Sequence, residues 1–134
     1  MRVFFDENIP RQLRHVLPGH EISSVEVEGW KGKDNGELLA LIVGRFDVLI
    51  TSDDNLSSQQ NLIGRNLSIV VVPTNKLTLL RANAAALRIT LEEMASYDHQ
   101  VIVTINWKGK RVMRRLDHAT SETSELTPVS PFRT

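Results

Sequence analysis

Four short stretches dominated by β-branched, aliphatic and aromatic residues constrain this chain most: Val3-Phe4-Phe5, Asp47-Val48-Leu49-Ile50-Thr51, Leu67 to Val72 (LSIVVV) and Val101 to Ile105 (VIVTI). They are continuous rather than alternating, so a strand made from any of them has no side to turn to water and must be covered on both faces. The stretches between them carry helix signals. Pro10 favours a first helical turn, Leu13, Val16 and Leu17 give it an apolar face, and Pro18-Gly19 ends it. His20 to Val27 (HEISSVEV) reads as a further strand. Asp34 with Glu37 three residues on has the form of a capping box, and Leu38, Leu39, Ile42, Val43 and Phe46 follow at helical spacing. Leu77, Leu80, Ala84, Leu87, Leu91 and Met94 step by three and four, which predicts one long helix over 75–96. Alternation of this kind predicts a single three-layer α/β domain over residues 1–117, with a mostly parallel central sheet of about five strands flanked by helices. Asn106 to Gly109 is a candidate hairpin turn leading into Lys110 to Arg115. Residues 118–134, rich in Ser, Thr and Pro, are expected to form a flexible C-terminal tail.

A chain of 134 residues can bury roughly two-thirds of its unfolded surface, so folding needs no staple and any metal would serve function. The absence of cysteine excludes disulfides, thiolate zinc sites and a cysteine nucleophile. The N-terminal sequence MRVFFDENIP lacks the long apolar stretch of a signal peptide, and no run is long enough to span a membrane. A cytoplasmic protein with no membrane partner is expected. The formal net charge is zero, but it is assembled from blocks. Residues 1–54 carry ten acids and six bases, residues 55–91 four bases and no acid, and residues 92–134 six of each. Local basic surface is therefore compatible with the balanced total.

The acids fall where an open α/β sheet does its work, beyond the carboxyl ends of strands. Asp6 and Glu7 follow the first strand, and Asp53 and Asp54 follow Asp47 to Thr51. Asp34 or Glu37 adds a third source at the start of the intervening helix. Carboxylates gathered in one crevice repel each other unless a cation neutralises them, and hard divalent ions such as Mg²⁺ or Mn²⁺ prefer such oxygen ligands. Each acid has a plainer reading as well: Asp53 as a cap, Asp54 as a solvated acid, Asp34 as the N-cap, and Glu37 as the capping-box residue turned back to the helix start. The convergence of several acids favours the metal site, with Asp6 at its centre.

Other chemistries find less support. No glycine-rich phosphate loop or nucleophile elbow occurs, and His15, His20, His99 and His118 match no zinc spacing. Trp30 and Trp107, each followed by Lys-Gly, could stack on a nucleobase or simply pack over a loop. Lys108 to Arg115 holds five bases in eight residues. That run suits either a phosphate track or an edge strand protected by charge.

Three motifs together carry a resemblance: DENIP after the first strand, GWKGKDNGELL before the capped helix, and TSDDNLSSQQNL after Ile50. The chain from about residue 1 to 75 resembles the small PIN-like proteins, relatives of the VapC-type toxin nucleases. That resemblance implies a metal-dependent ribonuclease, commonly dimeric, in which Asp6, Glu37 and Asp53 are the metal-binding and catalytic acids. Many relatives carry another acid two positions after the one matching Asp53; Asn55 stands there in this chain, and Asp54 is the available substitute. Glu7, Asn8, Asp34, Asn35, Asn55, Gln59 and Gln60 would then line the site around the metal or the substrate. Arg11, Arg14, Lys31 and Lys33 would guide the RNA.

The leading expectation is thus an endoribonuclease, the toxin of a toxin–antitoxin pair, hydrolysing RNA phosphodiesters with water activated by Mg²⁺ or Mn²⁺. A second is a receiver-like phosphoacceptor, which also places two acids after strand one and one after strand three; Thr74 fits its requirement for a hydroxyl, but its Lys-Pro is absent. A third is a PIN-like binding module that no longer cuts, for which Asn55 is the main support.

Overall fold

The computed structural model describes residues 1–53, 65–117 and 122–133, apart from the side chain of Asn35. The first strand, β1 (Arg2–Phe5), is followed by a 3-10 helix, Arg11–Val16, and by β2 (Glu21–Ser24). Two helices come next, α1 (Val25–Glu28) and α2 (Asn35–Ile42), and then β3 (Val48–Thr51) and β4 (Ser68–Val71). The helices α3 (Leu77–Ala82) and α4 (Ala84–Ala95) lead to β5 (Val101–Ile105), β6 (Arg111–Arg115) and β7 (Ser124–Leu126).

Among the described residues seven strands form one sheet in the order β2-β1-β3-β4-β5-β6-β7. The first five are mutually parallel, and β6 and β7 are antiparallel additions. The expected α/β class holds, but the sheet is mixed and has two more strands than the five foreseen. The order 2-1-3-4-5 within the parallel part is that of flavodoxin-like doubly wound sheets.

The continuous apolar runs do what their composition requires. Val3, Phe5, Val48, Ile50, Val70, Val101 and Val103 face one layer, where Leu13 and Leu17 of the 3-10 segment and Leu80, Leu87, Leu91 and Met94 of α3 and α4 cover them. Phe4, Leu49, Ile69 and Ile102 face the other, under Val25, Leu38, Leu39 and Ile42 of α1 and α2. Successive side chains on a strand point to opposite faces, so both sides are apolar and both are covered.

Four boundaries differ from the periodicity reading. The segment expected as a strand through Val27 leaves the sheet after Ser24, whose hydroxyl accepts from the Val27 amide and caps the short α1. The helix expected to reach Phe46 ends at Ile42, followed by a turn through Gly44 at φ +84°. The single helix over 75–96 is two helices broken at Asn83. The Asn83 amide donates to the Leu79 carbonyl at 2.8 Å, and its oxygen accepts from the Arg133 amide at 2.9 Å. An asparagine offered both bonds competes with the helix ladder. Finally, residues expected in a loose tail join the domain: β7 pairs with β6, and Phe132 is buried in the core. Phe132 and the partly buried Val129 supply the apolar surface that holds this segment down.

Candidate active site at the carboxyl edge of the sheet

Parallel pairing lines up the carboxyl ends of β2, β1, β3, β4 and β5 along one edge of the sheet. The chain passes from β1 to β2 on one side and then crosses to β3 on the other, so the order reverses between β1 and β3. Such a switch point is where open α/β sheets receive ligands. Asp6 immediately follows β1, and Asp53 lies two residues beyond β3.

The two are joined through Thr51. The Asp6 amide extends the ladder by donating to the Ile50 carbonyl at 2.9 Å. The Thr51 hydroxyl donates to Asp6 Oδ2 at 2.7 Å, and the same oxygen accepts from the Asp53 amide at 3.1 Å. The other Asp6 oxygen accepts from the Glu7 amide at 2.8 Å. Thr51 is fully buried, so its hydroxyl has no water to turn to and is held by these partners. No local pattern in the sequence marks this residue beyond a single hydroxyl closing the apolar VLIT run.

An open cavity of about 390 Å³ lies beside Asp6, bordered by Asn8, Arg11, Ser24, Glu26 and Lys31. It sits at the carboxyl ends of β1 and β2. Arg11 reaches Glu26 at 3.6 Å across its rim, both side chains being more than half exposed, so the pair is weak and free to exchange partners. Glu7 and Asn8 are exposed at the same loop. Arg14 turns its guanidinium to the Arg11 carbonyl at 3.2 Å.

The capped helix behaves differently. Asp34 is the N-cap of α2, its Oδ1 accepting from the Glu37 amide at 2.8 Å. The Glu37 carboxylate is exposed and lies 4.0 Å from Lys33 Nζ. Among the described residues, no three His, Asp or Glu side chains gather into a metal-sized group. Asp54, Asn55, Gln59 and Gln60 lie outside the described residues, as does the Asn35 side chain. By donor type, Asp6 and Asp53 fit a hard divalent cation: each Asp6 oxygen accepts one hydrogen bond and keeps further acceptor capacity.

The tryptophans separate. Trp30 is partly buried, stacked on Phe4 at 5.7 Å with the Arg45 guanidinium 5.6 Å from its centroid. Trp107 is 41% exposed at the β5–β6 turn. The basic run 108–115 is not an edge strand, because β7 covers β6. Much of its charge is matched: Lys110 with Glu125 at 3.0 Å, Arg111 with Glu93 at 3.0 Å, and Arg115 with Asp117.

In comparisons with known proteins the chain matches no family model, and no curated protein or solved structure matches it significantly. No helix among the described residues is long and apolar enough to cross a membrane.

Proposed function

We propose that this chain is a metal-dependent endoribonuclease of PIN-like type and the toxin of a toxin–antitoxin pair. The observation that carries the reading is the hydrogen-bonded unit Asp6–Thr51–Asp53 at the switch point of the sheet, beside a cavity bordered by Arg11 and Lys31. Asp6 and Asp53 would hold Mg²⁺ or Mn²⁺, with Asp54 as a further acid; Glu37, the middle acid the resemblance implies, is not gathered with them here and lies beside Lys33. The bound ion supplies Lewis-acid stabilisation and water activation. The rest is done by side chains. Thr51 fixes the orientation of the Asp6 carboxylate and the path of the chain into Asp53. Arg11 and Lys31 offset the repulsion between the acids and a phosphate chain, with Arg14 one turn further along the 3-10 helix and Lys33 two residues beyond Lys31. An antitoxin protein and a homodimer belong to the same proposal.

The test is cleavage of a single-stranded RNA by the wild type, Asp6→Asn and Asp53→Asn, with Mg²⁺, with Mn²⁺ and with EDTA. Metal-dependent cleavage that falls to background in both variants is the expected result. Cleavage that survives EDTA and Asp6→Asn together would overturn the mechanism. Calorimetric titration with Mn²⁺ separates this reading from a PIN-like binding module, supported by Asn55, which would take up no metal.

A receiver-like phosphoacceptor has one structural observation in its favour: the parallel strand order 2-1-3-4-5, with Thr74 after β4 and Lys108 after β5. Transfer of the phosphoryl group of acetyl phosphate to an Asp53 oxygen, with release of acetate, would support it. Lack of labelling that is lost in Asp53→Asn would exclude it.

A further inference from the structure

We propose that the β5–β6 turn is a base-stacking point for single-stranded RNA, with Trp107 taking a nucleobase and Lys76, Lys108 and Arg133 taking the phosphates around it. This inference rests on RNA being the substrate of the acid site. Among the described residues three large hydrophobic side chains are well exposed, Val27, Ile89 and Trp107, and of these Trp107 is the aromatic one. Its exposure is built into the turn. Asn106 Oδ1 accepts from the amides of Lys108 and Lys110 at 2.9 and 3.0 Å, fixing the backbone on either side of Gly109. The Trp107 carbonyl accepts from the Phe132 amide at 2.8 Å, and the two rings meet at 87° with centroids 6.0 Å apart. The indole is thus held in place while 41% of the residue stays in water, a preorganised platform for a second ring.

The charge around it suits a phosphate chain. Lys108 adjoins Trp107, Lys76 lies in the loop after β4, and Arg133 follows Phe132. All three are exposed and make no ion pair among the described residues, whereas Lys110 and Arg111 in the same hairpin are paired. The turn follows the carboxyl end of β5, so it lies on the same sheet edge as Asp6 and Asp53. β1 and β5 are three strand spacings apart in the order β1-β3-β4-β5, about 14 Å at ~4.8 Å each. A strand lying across this edge would meet Lys31 near β2, the acids at β1 and β3, Lys76 after β4, and Trp107 after β5. Stacking suits single strands because every base has a π face, while the bases of a duplex are already stacked.

The probe is a 12-nucleotide oligouridylate in EDTA, so that no turnover occurs, titrated against full-length Trp30→Phe, in which Trp107 is the sole tryptophan. Saturable quenching of its emission is expected. A loss of affinity of roughly tenfold or more, read by anisotropy of the same oligouridylate carrying a 5′-fluorescein, is expected in Trp107→Ala, with most of it restored in Trp107→Tyr. Lys108→Ala, which leaves Trp107 on Phe132, should reduce the salt slope of binding by about one. Melting curves identify any variant that fails to fold, and the Tyr and Lys108 variants then decide. Absence of quenching, equal quenching by inorganic polyphosphate or by duplex RNA, or unchanged affinity in Trp107→Ala would overturn the proposal. The two readings fail separately. Metal-dependent cleavage with the same KM in Trp107→Ala and no quenching removes this inference alone. Quenching and binding with no cleavage by the wild type removes the nuclease alone.

Discussion

Thr51 ties the two strand ends together with a single oxygen. A buried hydroxyl that donates to a carboxylate and accepts from an amide leaves both partners exposed to a desolvation penalty when it is deleted. Thr51→Val keeps the shape and removes the oxygen. We expect it to lower stability by about 1–2 kcal/mol in thermal or urea unfolding. It should also weaken Mn²⁺ uptake, since Asp6 loses the group that orients it. Thr51→Ser, which keeps the oxygen, should retain metal uptake. If Thr51→Val takes up Mn²⁺ as the wild type does, the hydroxyl has no positioning role.

At the scale of elements, two polar clamps join what the apolar core only presses together. The first is at the amino edge, between β1 and the residue preceding β3. The Arg2 amide donates to Asp47 Oδ2 at 2.8 Å, and its guanidinium donates to Oδ1 at 3.2 Å. Partial burial works to raise the Asp47 pKa, but the backbone and side-chain bonds from Arg2 outweigh it and hold the carboxyl below its ordinary 3.8. A carboxyl depressed in the folded state stabilises the protein above the unfolded value, and the gain is lost as pH falls through the folded value. Because the pair is nearly half exposed, Asp47→Asn should cost only about 0.5 kcal/mol at neutral pH. The gap to wild type should close below pH 3.8, as read by urea midpoints along a pH series. The second clamp is Arg111, 1% exposed, which donates to both Glu93 oxygens and Thr90 on α4 and to the Thr127 carbonyl beyond β7. Arg111→Ala leaves these acceptors without a donor and should cost about 3 kcal/mol or more. Arg111→Lys should recover little, since an ammonium lacks the planar fork that serves carboxylate and carbonyl together.

Across the whole molecule, the last residues act as a strap that fastens the hairpin to the helical layer. Val129 donates to the Gly109 carbonyl at 2.9 Å, Phe132 to Trp107 at 2.8 Å, and Arg133 to Asn83 at 2.9 Å. Gly109 makes this passage possible twice over. Its φ is +81°, and a Cβ there would lie 2.1 Å from the Val129 carbonyl oxygen. Gly109→Ala should therefore destabilise the protein by more than about 1 kcal/mol. It should also speed hydrogen exchange at the Val129 and Phe132 amides ahead of the β1–β3 core. Uniform exchange throughout would show that the strap is not a separate unit.

The amino-acid sequence alone determined the α/β class, because runs apolar at every position must be sheathed on both sides. It also marked Asp6 and Asp53 as acids beyond strand ends and Asp34 as a cap, since those features are local. Tertiary structure decided what depends on partners distant in the chain. Asn83 breaks the long helix because Arg133 meets it from fifty residues away. The charge of 108–115 is largely neutralised because α4 and β7 bring acids to it. Trp30 is partly buried while Trp107 remains exposed, although both read as Trp-Lys-Gly, because Phe4 and Arg45 pack on the one and a turn presents the other. Thr51 joins Asp6 to Asp53 only because β1 and β3 lie side by side, a pairing of residues forty-five apart that no local pattern records.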